Sequence, residues 1–260
     1  MKRSLGLFVV LAALGMLALP AKSFAFFGVD AGVGIWQQKP SGTFGYQPLA
    51  NTVGDIDVKD DLNFDKKSRV FVRVRAELPL ILPNLYLMVT PMSFDGSGQL
   101  TRNISFGGET FNANTTVDSK LKLDHVDLAL FYPVPLLKTA TAGVLNVDFG
   151  LNARQIKFEG TITESLTGQT ASKDLTLYVP MVFGAVQLKP IDLFAIEAEF
   201  RGIAIGQNHY YDYLGRVKVM PIPFLYIAGG YRSEDIKIDQ SDVKAAIKFS
   251  GPFAEVGVSF

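Results

Sequence analysis

The sequence contains no cysteine, only two histidines and a single tryptophan among 260 residues. The absence of cysteine excludes a disulfide framework and a lipid anchor attached to cysteine. Charge of one sign does not dominate either, because 25 basic residues balance 25 acidic ones, so a nucleic-acid partner is not indicated. The sequence also contains no phosphate-binding loop, no metal-ligand spacing and no serine-nucleophile elbow. Composition and motifs therefore favour no particular reaction and no cofactor.

Long apolar runs are absent except at the amino terminus. There, two basic residues precede an apolar stretch from Leu5 to Leu19, and a small-residue site follows that ends at Ala25. This arrangement is typical of a secretory signal peptide. We therefore predict a cleaved signal peptide at residues 1–25 and an exported domain at residues 26–260. No later stretch reaches the roughly 18 apolar residues that a transmembrane helix needs.

The exported part has a strict two-residue alternation of apolar and other side chains. In the stretch RVFVRVRAEL, for example, valines alternate with Arg73, Arg75 and Glu77. This period predicts β-strands with two unlike faces. Ten segments follow the pattern, at residues 26–36, 69–78, 84–94, 118–132, 144–154, 173–187, 194–202, 209–220, 225–234 and 245–260.

The connections between these segments alternate in length. Short proline-containing turns follow the second, fourth, sixth and eighth segments, and proline ends a strand because it cannot donate to a ladder. The other connections are predicted to be mostly longer and polar. They lie at roughly 38–66, 95–117, 159–172, 203–208 and 235–244. Two unlike ends predict an up-and-down meander.

The residue types on the two faces favour a membrane-spanning barrel over a soluble one, which would turn its apolar face inward. The segments with the strongest alternation have about a dozen residues, enough for the 9–11 that cross a bilayer at a tilt. Tyrosines near the strand ends are predicted to form interfacial girdles, namely Tyr86, Tyr132, Tyr178, Tyr211, Tyr213 and Tyr226. We therefore predict an all-β fold, a closed antiparallel transmembrane β-barrel of about ten strands in the bacterial outer membrane.

The polar faces predict a lumen with charges of both signs. A barrel of about ten strands is close to the eight-strand size at which side chains fill the interior. Buried charges are costly unless they are paired, and a selective pore would favour rings of one sign. We therefore predict a mixed network that largely plugs the lumen. Its members are Arg73, Arg75, Glu77, Asp127, Asp148, Arg154, Glu197, Glu199, Arg201, Asp212, Arg216, Lys218, Arg232 and Glu255.

The end of the sequence resembles a known family. The stretches IAGGYRSEDIKID and IKFSGPFAEVGVSF are similar to the closing section of outer-membrane β-barrel proteins named for a Gly-Gly signature. Those proteins resemble OmpW-type small barrels in general plan and carry no assigned reaction. The residues that carry the match are Gly229, Gly230, Tyr231, Arg232, Gly251, Pro252, Phe253 and Phe260.

The resemblance also implies a role for the final aromatic residue. The last segment reads as a strand that closes the barrel, with Val256, Val258 and Phe260 facing lipid and Glu255 facing the lumen. An aromatic residue at this position resembles the signal that the barrel-assembly machinery recognises during insertion. The expected partners are thus this machinery, outer-membrane lipid and lipopolysaccharide.

Each histidine could be a functional residue or an ordinary structural one. His125 lies in LDHVD beside Asp124 and Asp127, as in membrane proteases and lipid A-modifying enzymes. Adjacent side chains of a strand point to opposite faces, however, so Asp124 and His125 do not face each other. The apolar parity also slips near Leu121, which a β-bulge or a strand end would explain. We expect no catalytic role there, and we expect His209 to be exposed or part of a girdle.

Two further stretches leave alternatives open. The acidic stretch DIDVKDDLNFD lacks the glycine and the terminal glutamate of an EF-hand. It is predicted to be a solvated exterior loop, with divalent bridging to lipopolysaccharide as the alternative. Gly229 and Gly230 indicate either close packing in a barrel strand or the approach of a ligand.

Two hypotheses for function follow. The first is a non-enzymatic barrel that is structural or passes small, apolar solutes. The alternative is a membrane-embedded hydrolase, a protease or a lipid A-modifying enzyme, that works at the exterior rim. A general porin fits less well, because barrels with aqueous channels have about 16–18 strands.

Overall fold

The computed structural model describes residues 28–46, 55–79, 82–240 and 243–260. The predicted signal peptide, residues 1–25, lies outside the described residues, as does the predicted start of the exported domain at residue 26. Within the described ranges, the two-residue alternation produces strands almost throughout.

Fourteen strands and one short helix form in the described part of the chain. They are β1 (Gly28–Tyr46), β2 (Ile56–Asp57), β3 (Lys67–Glu77), β4 (Asn84–Thr90), β5 (Ser93–Gln99), β6 (Ile104–Phe106), β7 (Glu109–Phe111), β8 (Thr116–Pro133), α1 (Leu137–Ala140), β9 (Leu145–Glu164), β10 (Thr170–Ile191), β11 (Phe194–Ile205), β12 (Asn208–Ile222), β13 (Leu225–Gln240) and β14 (Val243–Ser259). No described helix has the length and apolar character needed to cross a membrane.

The strands close into a barrel. Neighbouring wall strands pair antiparallel, and β14 returns to pair with β1 from Asp30 opposite Ser259 to Tyr46 opposite Val243. Both β4 and β5 pair with β8 in one continuous register, so they form a single wall strand that is interrupted between Thr90 and Ser93. The wall therefore has ten strands, which confirms the predicted closed antiparallel barrel.

The two faces of the wall differ as the alternation predicts. Apolar side chains such as Ile35, Leu151 and Val256 are exposed on the outside, whereas Arg154 and Arg201 are fully buried inside. An apolar exterior around a polar interior is the polarity of a transmembrane barrel. The chain thus spans a membrane with strands.

The two ends of the barrel also differ, but less than predicted. At one end, short turns such as residues 192–193 and 223–224 join the strands, and α1 lies in the turn between β8 and β9. At the other end, three of the predicted long loops are wrong. Two connections there span only residues 165–169 and 206–207, and β13 and β14 cover most of the third predicted loop, up to Gln240 and from Val243. The strands continue beyond the band of exposed apolar side chains that faces lipid, here called the apolar belt, and their outward residues there are polar. A sequence pattern does not distinguish such a polar stretch of strand from a loop.

The interior at the end opposite the short turns, which is the exterior end in barrels of this class, is an apolar core rather than a continuation of the charged lumen. Phe94 stacks on Phe249 with ring centroids 5.3 Å apart, and Phe64 stacks on Phe94 at 6.3 Å. Val58 and Leu62, from the segment that leads into β3, are buried beside them. This core closes the exterior mouth of the barrel.

The acidic stretch at residues 55–65 is only partly the solvated loop that we predicted, because Asp60 and Asp65 are exposed but Asp61 and the apolar residues are buried. Asp61 is buried and accepts a hydrogen bond of 2.8 Å from the Arg102 guanidinium. Asp57 accepts hydrogen bonds from the backbone amides of Lys59 and Asp60 and thereby shapes a turn. The apolar residues between the acids carry the segment into the barrel.

The expected irregularity in β8 is also wrong. The strand pairs with β9 without a register shift from Val117 to Pro133. Leu121 and His125 lie on the same inward face, and both are buried. The parity seemed to slip because the lumen itself changes from charged to apolar along this strand.

The predicted tyrosine girdle is only partly correct. Tyr132, Tyr178 and Tyr213 are exposed on the outside of the barrel, as expected for an interface. Tyr86 and Tyr226 are instead buried in the lumen, because they lie on the inward parity of β4 and β13. Their hydroxyl groups take part in the charged network there.

Candidate functional site

The first of two buried charge clusters in the lumen centres on Asp212 of β12. Its carboxylate accepts hydrogen bonds from Arg154 at 2.5 Å and from Arg232 at 2.8 and 3.0 Å. Arg201 lies 3.5 Å away. Arg154 also binds Asp127 with two hydrogen bonds of 2.8 and 2.9 Å, the fork geometry that suits a carboxylate. Three guanidinium groups thus share one carboxylate.

His125 belongs to the edge of this first cluster. Its Nε2 atom lies 3.3 Å from Glu234 and 3.4 Å from an Arg232 nitrogen. Glu234 also accepts a hydrogen bond of 2.8 Å from the hydroxyl of Tyr210. Asp124 points to the other face of β8 and accepts a hydrogen bond from the Met92 amide. His125 is therefore enclosed, with 1% of its surface exposed.

The second cluster lies nearer the short-turn end. Arg216 donates to Glu197 at 2.5 Å and to Glu199 at 3.0 Å. Arg73 donates to Glu255 at 2.7 Å and lies 2.8 Å from Asp30, which Lys218 also contacts. Alternating charges thus link β1, β3, β11, β12 and β14 across the lumen. Such pairing is what makes buried charge tolerable.

A cavity of about 510 Å³ opens this second cluster to the short-turn end. Arg75 lies on its wall, 2.9 Å from Asp148 and 3.2 Å from Glu77. The Arg75 side chain is 18% exposed and that of Glu77 is 44% exposed. This rim is therefore hydrated, whereas the residues of the Asp212 cluster are sealed.

The structure places every predicted lumen residue on the inside of the barrel. They include Arg73, Arg75, Glu77, Asp148, Arg154, Glu197, Glu199, Arg201, Arg216, Arg232 and Glu255. The sequence analysis did not count Asp30 or Glu234, although both bind arginines. Parity could have identified Glu234, because it lies two residues after Arg232 on the same face.

The predicted insertion residues lie where the barrel closes. Val256 and Phe260 are exposed on the outside, and Val258 is half-buried. The Phe260 amide donates to the Val29 carbonyl at 2.8 Å, and its ring stacks on Phe224 at 6.2 Å. A role in insertion remains a prediction.

A gap in the barrel wall is a feature that the sequence analysis missed. β10 pairs with β9 along its whole length from Thr170, but it pairs with β11 only from Val182 outward to the short-turn end. In the described part of the chain, residues 170–181 of β10 therefore have no partner strand on the β11 side. Pro180 lies at this parting, where the edge of a sheet tolerates proline.

The gap begins at the exterior edge of the apolar belt. Tyr178, which accepts a hydrogen bond of 2.7 Å from Gln155, marks the interface, and lipid-facing Leu151 and Val182 lie on its membrane side. A cavity of about 400 Å³ occupies the gap, and inward Met181 and Ile203 line it together with outward residues. The cavity therefore lies where the two strands part.

The described residues contain no group of three or more His, Asp or Glu side chains that could hold a metal ion. Each acidic residue in the lumen clusters lies within reach of a basic one. The clusters are ion pairs, and the wall gap is apolar.

Three solved structures that resemble this one are distant in sequence. Ail, the attachment invasion locus protein of Yersinia pestis, is 12% identical with a TM-score of 0.38, over 90% of this chain and 99% of that chain. The translocator domain of autotransporter NalP from Neisseria meningitidis is 11% identical with a TM-score of 0.37, over 97% and 96%. The CymD monoaromatic hydrocarbon channel is 9% identical with a TM-score of 0.33, over 90% and 69%.

No protein-family model and no curated protein matches the sequence. The class of protein is therefore assigned from the fold itself. A closed antiparallel barrel that is apolar outside and charged inside is the architecture of the bacterial outer membrane. The chain is therefore a ten-stranded outer-membrane β-barrel protein.

Proposed function

We propose that the protein is a non-enzymatic outer-membrane barrel that passes small apolar solutes through its wall rather than along its axis. The observation that carries the proposal is the parting of β10 and β11 beyond Val182, at the level where the apolar belt ends. A solute from the exterior would enter the membrane sideways there.

The filled lumen supports a sideways route. The apolar core occupies the exterior half of the interior, and the Asp212 cluster lies beneath it with fully buried arginines. An apolar solute on the axis would have to displace ion pairs, which is costly. An ion would meet charges of both signs rather than a selective ring.

The residues at the gap support an apolar cargo. Leu177, Val179 and Met181 share the inward face of β10, and Ile203 and Ile205 lie on the same face of β11. Ile205 is exposed, whereas Met181 is buried and closes the gap. Movement of flexible side chains such as Met181 would suffice to open it.

The surroundings of His125 support a non-enzymatic role. A general base must come within hydrogen-bond reach of its substrate. His125 is sealed inside the first cluster rather than at the exterior rim, so the hydrolase alternative lacks an accessible base there.

Membership of the Gly-Gly-signature family is part of the same proposal. Gly230 pairs with Phe253 and Arg232 with Gly251 on the inward face of β13 and β14, whereas Gly229, Tyr231 and Pro252 face outward on the same two strands. The proposal also includes contact with lipopolysaccharide in the membrane and with the barrel-assembly machinery during insertion.

A disulfide across the gap tests the sideways route. The wild-type chain has no cysteine, so Met181→Cys with Ile203→Cys creates the only thiol pair. Met181 and Ile203 are the first positions beyond the last pair, Val182 and Gly202, so a disulfide between them would hold the two strands together where they part. Oxidation is expected to stop protein-dependent entry of N-phenylnaphthylamine, an uncharged aromatic probe, into vesicles with a lipopolysaccharide outer leaflet. Reduction is expected to restore it.

The matched control places Val186→Cys with Ala198→Cys on the same two strands. These residues are already paired, so their disulfide leaves the gap unchanged. Entry of the probe should then be the same in oxidised and reduced protein. If the Met181–Ile203 disulfide forms and the rate of entry does not fall, the sideways route is wrong.

A further inference from the structure

A groove on the lipid-facing side of the barrel lies on strands other than β10 and β11 and deepens one part of the proposed function, the contact with lipopolysaccharide, on which this inference rests. It measures about 750 Å³ and crosses strands β12, β13, β14, β1 and β3. Its lining is apolar, with Ile35, Val70, Ile227 and Val256 around its sides. A concave apolar surface of this kind accepts a hydrocarbon chain.

Gly229 forms part of the floor of this groove, and barrel packing does not explain its lack of a side chain. A Cβ atom on Gly229 would meet no atom closer than 3.9 Å. A Cβ atom on the neighbouring Gly230 would lie 2.0 Å from the Gly215 carbonyl oxygen, so close strand packing requires that second glycine. The absence of a side chain thus has a different explanation at each of the two glycines. At Gly229 it leaves an open space that a side chain would fill.

Three lysines lie at the exterior end of the same strands. Lys39 on β1 and Lys248 on β14 are diagonal neighbours, because Lys39 pairs with Ser250 and Ser41 pairs with Lys248. Lys66 precedes β3 by one residue and continues the register opposite Lys39. All three are exposed, and none has an acidic partner within 4 Å among the described residues.

The lysines lie at the height of lipid headgroups. Lys39 is four residues beyond lipid-facing Ile35, which corresponds to about 13 Å along the strand. Tyr231, exposed between the groove and the lysines, marks the interface. Asp235 is the acidic residue that faces Lys248 in register, and it already contacts His209 at 3.4 Å. The positive cluster and the groove are therefore stacked along one face.

We infer that this face is a binding site for a phosphorylated lipid of the outer leaflet. Phosphate groups of the headgroup bind Lys39, Lys66 and Lys248, and an acyl chain lies in the groove over Gly229. The charge cluster alone would suit any polyanion, and the groove alone any apolar surface. Their stacking at headgroup and acyl-chain depth selects a molecule that has both parts.

Titration with lipid A in detergent micelles, followed by native mass spectrometry, tests the site. The variant Lys39→Gln, Lys66→Gln, Lys248→Gln is expected to bind lipid A about a hundredfold more weakly, since each of the three lysines near an anionic headgroup contributes about fivefold. The control variant Lys59→Gln, Lys120→Gln, Lys157→Gln changes the net charge equally at exposed positions elsewhere and should bind like wild type. Equal losses in both variants would overturn the proposal.

A second variant tests the groove separately from the charge. Gly229→Leu fills the open space without a backbone clash and should weaken lipid A binding while the barrel remains folded and heat-modifiable. Unchanged lipid A binding by Gly229→Leu would overturn the acyl-chain contact. Binding of inorganic phosphate as tight as that of lipid A, or a wild-type dimer that Gly229→Leu dissociates, would also overturn the proposal. None of these results depends on solute passage through the β10–β11 gap.

Discussion

Asp212→Ala is expected to lower the free energy of unfolding of the barrel by about 3–5 kcal/mol, the cost of breaking a buried ion pair. The Asp212 carboxylate binds Arg154 and Arg232, and Arg201 lies 3.5 Å away. All three guanidinium groups are buried and would lose a shared counter-charge. Urea unfolding of the protein refolded into lipid vesicles, followed by tryptophan fluorescence, measures the change.

Two comparisons separate loss of charge from other effects. Asp212→Asn keeps the side-chain volume, so a similar loss of stability would show that charge rather than a cavity is responsible. Asp235→Ala removes an exposed carboxylate from the next strand and should cost at most about 1 kcal/mol. Arg75→Ala should cost less than the buried-pair figure, because that side chain is partly hydrated. Equal stability of wild type and Asp212→Ala would contradict a sealed network.

Deletion of Phe260 is expected to cause the largest loss of assembled protein. The Phe260 amide bonds to Val29, and its ring stacks on Phe224, so the residue joins both neighbours of β14 at the short-turn end. Without it, closure of β14 on β1 loses its terminal contacts, and the proposed signal to the assembly machinery is lost. The amount of heat-modifiable, protease-resistant barrel in isolated outer membranes measures the effect.

Asn112→Ala is the control for the deletion. Asn112 is exposed beyond β7, at the opposite end of the barrel, and its replacement should leave the yield unchanged. If the Phe260 deletion gives barrel at the yield of Asn112→Ala, neither the closing contact nor the insertion signal is needed.

The wall of the barrel could be predicted from the sequence, because each wall strand has to present apolar side chains to lipid on one face. Val70, Val72 and Val74 alternate with Arg73 and Arg75 in β3. That two-residue period predicts a strand, and the residue types predict which of its faces contacts lipid and which faces the lumen. Proline turns then predict the short-turn end. The number of wall strands follows from counting these segments.

The interior of the exterior half could not be predicted in the same way. There the inward face is apolar and the outward face is polar, the reverse of the membrane region, so β8 seemed irregular at Leu121. The burial of Val58 and Leu62 depends on contacts with residues far away in sequence, such as Phe94 and Phe249. An alternation pattern carries no information about such contacts.

The candidate site shows the same division. Parity predicts that Arg154 and Asp212 face inward, but it does not specify which carboxylate each arginine binds. The wall gap arises partly because β11 ends at Ile205 whereas β10 extends to Thr170, and partly because β11 parts from β10 after Gly202, three residues before it ends. The polar residues of β10 beyond the membrane resemble a loop in sequence, so the gap was hidden.

Planar-bilayer recording on the refolded wild-type protein tests most directly whether the axis is closed. Paired charges of both signs and an apolar core block the lumen between the short-turn cavity and the exterior mouth. We predict little or no steady ion conductance under conditions in which the same preparation admits the uncharged aromatic probe. Steady, large, ion-selective openings would contradict the closed axis and, with it, the sideways route.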